Sequence, residues 1–193
     1  DLYASWGNVD LKPQESLTFE AGFEHKMGSF LASTTYFNRD VENIISYDNI
    51  SYQMVNKGDA IIHGLEIELT FGVFKNLRAH LNYTNTNNDN ESIRIPKNKV
   101  NTSIAYNLAK TNIALNFRYT DKRDDTYFKQ DFTSEAVILE SYSLLDLSAN
   151  HEVIENRLTL FASVGNILNE DYEEIYGYNT KGRNYSLGIK LDI

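Results

Sequence analysis

Residues 182–193 read GRNYSLGIKLDI, and their side chains alternate almost without a break. Arg183, Tyr185, Leu187, Ile189, Leu191 and Ile193 fall on one face of an extended strand. Asn184, Ser186, Gly188, Lys190 and Asp192 fall on the other. Eleven such residues at about 3.3 Å each, tilted by about 40°, rise roughly 28 Å, close to the ~25 Å apolar band of an outer-membrane barrel. Globular strands run about 5–6 residues, so length alone points to a membrane strand.

The same period of two recurs upstream. Leu17, Phe19, Ala21 and Phe23 alternate with Thr18, Glu20, Gly22 and Glu24, and after a turn at 26–29 the residues Phe30, Ala32, Thr34 and Tyr36 start a return strand. Leu65, Ile67, Leu69 and Phe71 form a third apolar face, and Leu77, Ala79, Leu81 and Tyr83 a fourth. A fifth runs through Val100, Thr102, Ile104, Tyr106 and Leu108, and a sixth through Ile113, Leu115, Phe117 and Tyr119. Leu145, Leu147 and Ala149, then Leu158, Leu160, Ala162 and Val164, complete the set before the final stretch. The spacing predicts an all-β chain of about nine strands and no helix.

The connections alternate as strictly as the side chains. Short turns at 26–29, 73–76, 109–111 and 154–156 interleave with polar segments at 39–59, 85–98, 121–139 and 166–181. Loops of that length are uncommon in compact domains. When every second connection is long, one rim of the sheet differs in kind from the other, as in barrels with short periplasmic turns and longer extracellular loops. The first strand then runs inward from outside. Tyr83, Tyr119 and Tyr142 fall toward the outer ends of strands and Phe23, Phe71 and Tyr106 toward the inner ends, as two aromatic girdles require.

A soluble β-sandwich also alternates apolar and polar positions, so alternation alone does not separate the two. The polar faces carry small residues, among them Asn101, Ser103, Asn107, Asn116, Ser148, Asn150, Ser163, Gly165, Ser186 and Gly188, where a solvated sandwich favours Lys and Glu. Thirteen Tyr and ten Phe against two Pro favour sheet over helix. No run approaches the ~18 apolar residues of a membrane helix, and mean hydropathy is −0.44. A barrel strand leaves the same low signal, because half of it faces a polar lumen. With no Cys, disulfide scaffolds and thiolate chemistry are excluded. A net charge of −9 disfavours nucleic acid as a partner. The chain opens on Asp1 with neither an initiator Met nor a signal sequence, and the expectation is a processed or truncated piece of a longer chain.

Catalytic chemistry finds no foothold. His25, His63, His80 and His151 show no metal-ligand spacing, and no nucleophile motif or phosphate loop occurs. Glu66 and Glu68 share a face and read as neighbours lining a wet channel rather than as an acid pair. Asp121, Asp124 and Asp125 offer carboxylate oxygens for a cation, but Lys122 and Arg123 between them favour a hydrated loop. The expectation is no enzyme, no metal and no cofactor.

Several local segments resemble one family. Residues 7–16 (GNVDLKPQES) resemble the N-x-x-L-K-P-E-x-S segment that opens a late strand in TonB-dependent outer-membrane receptors. Residues 56–60 (NKGDA) with Gly64-Leu65-Glu66 are similar to their N-x-x-x-A…G-x-E segment, and Arg94-Ile95-Pro96 to their R-x-P. Residues 165–172 (GNILNEDY), then Gly177-Tyr178 and Gly182-Arg183, resemble their carboxy-terminal signature. Two positions depart: Gln14 replaces the usual Glu, and Ile193 the usual terminal aromatic.

The resemblance implies an antiparallel transmembrane β-barrel segment in the outer membrane, with residues 1–193 as the carboxy-terminal part of a 22-stranded, plugged barrel. The plug and early strands belong to the rest of the same receptor. About nine strands, an odd number with two open edges, are not expected to close into a monomeric barrel alone. Implied partners are the lipid bilayer with its lipopolysaccharide, the remaining barrel and plug, the TonB–ExbB–ExbD complex acting through the plug, and the barrel-assembly machinery. The implied cargo is a small-molecule metal chelate or similar scarce, bulky nutrient: a ferric siderophore, haem or cobalamin. Tyr47, Tyr52, Tyr127, Phe128, Phe132, Tyr172, Tyr176 and Tyr178 stand on the long loops as candidate ligand contacts, since loop aromatics supply rigid contact area. A smaller outer-membrane barrel enzyme or adhesin, and a soluble β-sandwich binding domain, remain the competing readings.

Overall fold

The computed structural model describes residues 7–48, 50–89, 93–131 and 133–192. In chain order its strands are β1 (Glu15–Met27), β2 (Phe30–Glu42), β3 (Ile45–Asp48), β4 (Gln53–Asn56), β5 (Ala60–Phe74), β6 (Leu77–Asn88) and β7 (Asn98–Leu108). They continue with β8 (Thr111–Thr120), β9 (Arg123–Phe128), β10 (Ser134–Leu139), β11 (Tyr142–Ile154), β12 (Leu158–Gly165) and β13 (Asn184–Leu191). Nine of them make one antiparallel sheet in the order β1-β2-β5-β6-β7-β8-β11-β12-β13, each strand hydrogen-bonded to its neighbour in that order. The other four form two separate hairpins, β3–β4 and β9–β10. The nine sheet strands are those the alternation predicts. The hairpins stand inside segments predicted as irregular loops, where polar runs such as RDDTYF hide a strand that has no apolar face to show.

Register converts alternation into two faces. One cross-strand row runs Tyr106, Ile113, Ala149, Ala162, Leu187, and the neighbouring parallel row runs Ile104, Leu115, Leu147, Val164, Tyr185. Between them, on the opposite face, lies Ala105, Ala114, Ser148, Ser163, Ser186. A one-residue slip anywhere would move every apolar side chain to the wrong side. None of the described residues covers the apolar face: Leu187 is 86% exposed, and Leu17, Phe23, Ile189 and Leu191 are similarly bare. A sandwich would have buried these residues against a second sheet, and among the described residues they stay exposed.

The four short turns lie at one end of the sheet. At the first, Gly28 takes φ 59 between Met27 and Phe30, the position a type II′ hairpin turn reserves for glycine. On the polar face two aromatics lie over glycines of the adjacent strand, Phe37 over Gly64 and Phe161 over Gly188. A Cβ at Gly64 would also meet the backbone carbonyl of Asn85, so no larger residue fits there. β13 spans eight residues rather than the eleven predicted, although the Asp192 amide still donates to the Arg157 carbonyl (3.0 Å). Ile193 lies outside the described residues.

A single sheet has no interior, so the few buried residues mark where chain packs on chain. Apart from Val41, Ala60 and Gly64, every buried residue among those described belongs to one group: Thr120, Arg123, Asp125, Leu139, Tyr142, Leu144 and Asn166. All seven lie at the long-loop end of β8, β11 and β12 or in the loops they carry. The core of this chain is at its rim.

Candidate functional site

The long connections resolve into two assemblies. The first joins the β3–β4 hairpin to residues 8–14, which lead into β1. Asn56 is its hub, because one amide side chain can both donate and accept. Its Nδ2 donates to the carbonyls of Lys12 (3.0 Å) and Asn43 (2.8 Å), and its Oδ1 accepts the Lys12 amide (2.9 Å). Asn8 Nδ2 donates to the Met54 carbonyl (3.1 Å), and the Ile45 amide donates to Gln14 Oε1 (3.1 Å). At the hairpin tip, hydrogen bonds from the Ser51 hydroxyl and amide hold the Asp48 carboxyl below its ordinary pKa.

The second assembly joins three loops: β6–β7, the β9–β10 hairpin, and the 166–183 connection. Its centre is the Asp125 side chain, fully buried. Arg94 Nε from the β6–β7 loop (2.8 Å) and the Thr126 amide (2.8 Å) both donate to Asp125 Oδ1, and the Tyr176 amide from the last loop donates to Oδ2 (2.9 Å). Burial alone would raise this carboxyl, but the Tyr176 and Thr126 amides and the Arg94 guanidinium hold it below the ordinary carboxylate value. Arg94 is further fixed by its own amide, which donates to the Asp124 carbonyl (2.7 Å).

Two residues along β9, on the same face, Arg123 repeats the arrangement with opposite sign. Its Nη2 donates to the Glu173 carbonyl (2.9 Å) and to Glu174 Oε2 (3.0 Å), and its guanidinium carbon lies 5.5 Å from the centre of the Tyr142 ring. The Tyr142 hydroxyl donates to the other Glu174 oxygen, and the Tyr142 ring meets Tyr172 at 4.5 Å. The second, buried Arg123 nitrogen has no hydrogen-bond acceptor.

Below this assembly Asn98 ties the strand ends together. It accepts from the Tyr83 hydroxyl (2.8 Å) and donates to Asp121 Oδ2 (2.7 Å), a bond that leads in lowering the Asp121 pKa. Asn166, at φ 50, anchors the last loop: its Nδ2 donates to the Glu170 and Lys181 carbonyls, its Oδ1 accepts the Glu170 amide, and its own amide donates to Asp146.

The eight predicted aromatics separate between the two assemblies. Tyr47 and Tyr52 ride on the β3–β4 hairpin. Tyr127 and Tyr176 meet ring to ring at 5.3 Å, and Tyr172 is engaged with Tyr142. Phe128 and Tyr178 project from the second assembly, and Phe132 lies outside the described residues. Tyr52, Phe128 and Tyr178 are the freest, at 71%, 63% and 70% exposure. Tyr172 also lines two clefts, one of about 280 Å³ with Glu140, Asp171 and Glu173, and one of about 370 Å³ with Arg118, Asp146 and Lys181. Among the described residues no group of three or more His, Asp or Glu is placed to hold a metal. His80 and His151 instead share hydrogen bonds with Thr70 and Thr111 across their strand pairs.

Sequence reasoning missed Arg94, Arg123 and Glu174 as partners, and it placed Tyr142 in a girdle. Tyr142 instead sits on the polar side: it pairs with Thr120 and shares the phase of Leu144 and Asp146, opposite to Leu145 and Leu147. That phase was visible in the sequence.

The family described as TonB dependent receptor-like, beta-barrel matches residues 1–167. The chain belongs to that family. Its sheet superposes on solved outer-membrane receptors. The pyoverdine receptor FpvA of Pseudomonas aeruginosa, bound to pyoverdine, matches with a TM-score of 0.79 at 20% identity over 95% of this chain. The siderophore receptor PirA of Acinetobacter baumannii gives 0.77 at 18% over 96%, and the ferric-catecholate import receptor Fiu of Escherichia coli 0.77 at 18% over 97%. This chain spans 30%, 32% and 29% of those three chains. As a TonB-dependent receptor barrel it is an outer-membrane protein and not an enzyme, and the uncovered apolar face is the one that meets lipid. The family's motifs now have physical roles: Asn56 ties the β3–β4 hairpin, Arg94 of R-x-P reaches Asp125, and Asn166 and Asn169 hold the last loop. Asn169 does so through its Oδ1, which accepts the Arg183 amide (2.9 Å).

Proposed function

We propose that residues 1–193 are the carboxy-terminal strands and loops of a receptor that carries a ferric siderophore across the outer membrane. The rest of the barrel and a plug lie elsewhere in the same polypeptide, and energy comes from the TonB–ExbB–ExbD complex acting on that plug. The observation that carries this reading is an antiparallel nine-stranded sheet with an unburied apolar face, a polar inner face and both edges unpaired, matched at high TM-score by receptors described as binding or importing siderophores. An odd strand count with two open edges counts against a small self-closing barrel enzyme or adhesin.

On this reading Tyr52, Phe128 and Tyr178 are the ligand-facing aromatics, because Tyr127, Tyr172 and Tyr176 are engaged with other side chains or the loop framework. The test uses the full-length receptor in binding assays with ferric hydroxamate and catecholate siderophores, haem and cobalamin. A ferric siderophore is expected to bind, and replacing Tyr52, Phe128 and Tyr178 together with Ala to weaken it at least about tenfold. Binding of haem or cobalamin alone, or of none of the four, overturns the assignment.

A further inference from the structure

We propose that Asp125 pins three loops into one rigid body, so that residues 93–97 of the β6–β7 loop, strands β9 and β10, and the 166–183 segment cannot open independently of one another. This concerns the mechanics of the rim and holds whichever ligand the receptor takes.

Three features of the geometry carry it. Asp125 spends its two carboxylate oxygens on donors from three different segments: its own hairpin, the β6–β7 loop, and the last loop. Those donors cannot turn to water while the group stays buried, so separating any one loop leaves a buried carboxylate short of a partner. Arg94 sits at φ 62, a conformation non-glycine residues seldom take unless the surroundings over-determine it. Here its amide and its side chain are both spoken for by the β9–β10 hairpin. The Arg123 set, with Glu173, Glu174 and Tyr142, makes a second, independent tie between the β9–β10 hairpin and the last loop, and extends it to the end of β11. Among the described residues no comparable buried group joins the β3–β4 hairpin to this body.

The experiment measures distances between pairs of spin labels on cysteines introduced into the full-length receptor in outer-membrane vesicles. One pair sits at Ile95 and Phe128, spanning the β6–β7 loop and the β9–β10 hairpin, and the other at Phe128 and Tyr178, spanning the hairpin and the last loop. Both distance distributions are expected to be narrow in the parent protein. Asp125→Asn, which replaces one acceptor oxygen with a donor, is expected to at least double the Ile95–Phe128 width and to widen the Phe128–Tyr178 pair by less, because the Arg123 tie to Glu173 and Glu174 remains. Arg94→Gln is expected to widen only the Ile95–Phe128 pair, because the Tyr176 and Thr126 amides still hold Asp125. Asp125→Asn leaving both widths unchanged, or Arg94→Gln widening both pairs equally, overturns the proposal. Where Asp125→Asn does not assemble, Arg94→Gln alone decides: a widened first pair with an unchanged second supports the pin, and an unchanged first pair refutes it.

Discussion

The two loop assemblies solve one problem with different chemistry. Each must tie irregular backbone to its neighbours outside the sheet ladder, where the peptide groups have no assigned partners. Around the β3–β4 hairpin the ties to residues 8–14 are made by amides, Asn56, Asn8 and Gln14, all on or near the surface. Around Asp125 and Arg123 it is done by ion pairs in which one member, Asp125 or Arg123, is removed from water while its partner stays partly exposed. Amide ties are individually modest and indifferent to pH. Buried ion ties are strong only while both partners keep their charge. The difference teaches that the rim has one sector whose cohesion is conditional and one whose cohesion is merely weak.

Acid should separate them most sharply. The Asp125 carboxyl lies below its ordinary value of 3.8, so its contribution is complete above that value and disappears as pH falls through the lowered folded value. The charged groups around it are Arg94 from the β6–β7 loop and, on β9, Arg123 with its partner Glu174 and the exposed Asp124. Once Asp125 is protonated, the Arg94 guanidinium is left facing a neutral acid. With Arg94 partly exposed, the loss is on the order of 2 kcal/mol. Hydrogen exchange at the Tyr176 and Thr126 amides, corrected for the intrinsic rate at each pH, is expected to accelerate progressively as pH falls below 3.8 and to reach about thirtyfold once the pH is under the lowered folded value. The Lys12 and Ile45 amides, held by Asn56 and Gln14, are expected to keep their protection. Equal acceleration at both sites would mean that the two assemblies do not differ in kind.

How much of this was legible in the sequence follows the same division. Wherever a strand meets lipid on one side, the period of two is imposed by the solvent, and Ile113, Leu115, Phe117 and Tyr119 or Leu158, Leu160, Ala162 and Val164 announce it. Above the membrane both faces of a hairpin meet water or other loops. β9 and β10 therefore follow no solvent-imposed alternation and read as loop. Asp125 was visible as an acid, but its partner Arg94 lies 31 residues away in a different loop, and no local spacing links them. Tyr142 is the instructive miss, since its phase against Leu145 already placed it on the polar face while the aromatic type suggested a girdle. The family motifs located Asn56, Arg94 and Asn166 without saying what each one holds.

A smaller effect is expected from the amide side. Asn56→Ala deletes three hydrogen bonds to Lys12 and Asn43, and with net values near 1 kcal/mol for each exposed or half-buried bond the hairpin tie weakens by about 1–3 kcal/mol. External trypsin on intact cells should then cut after Lys57 about tenfold or more faster, while cleavage after Lys181, in the loop clamped through Asp125, stays at the parent rate. Faster cutting at both lysines would show that the hairpin and the clamped loops are mechanically one.

Gln14→Glu is expected to do the least at neutral pH, and it tests the comparison from the opposite direction. Glu is the residue the family usually carries at this position. Gln14 contributes a single acceptor oxygen to the Ile45 amide (3.1 Å) from an exposed site, and a carboxylate accepts there equally well, so stability should change by no more than about 0.5 kcal/mol. Protonation then offers what the native amide cannot: below the carboxylate range the new side chain becomes a neutral acid and a poorer acceptor. Protection of the Ile45 amide should therefore become acid-dependent in Gln14→Glu and stay flat in the parent, giving the amide-tied hairpin in miniature the conditional cohesion of the Asp125 sector. If Ile45 protection stays flat in the variant as well, side-chain acceptance does not hold this hairpin, and the contrast must be sought in the Asn56 bonds alone.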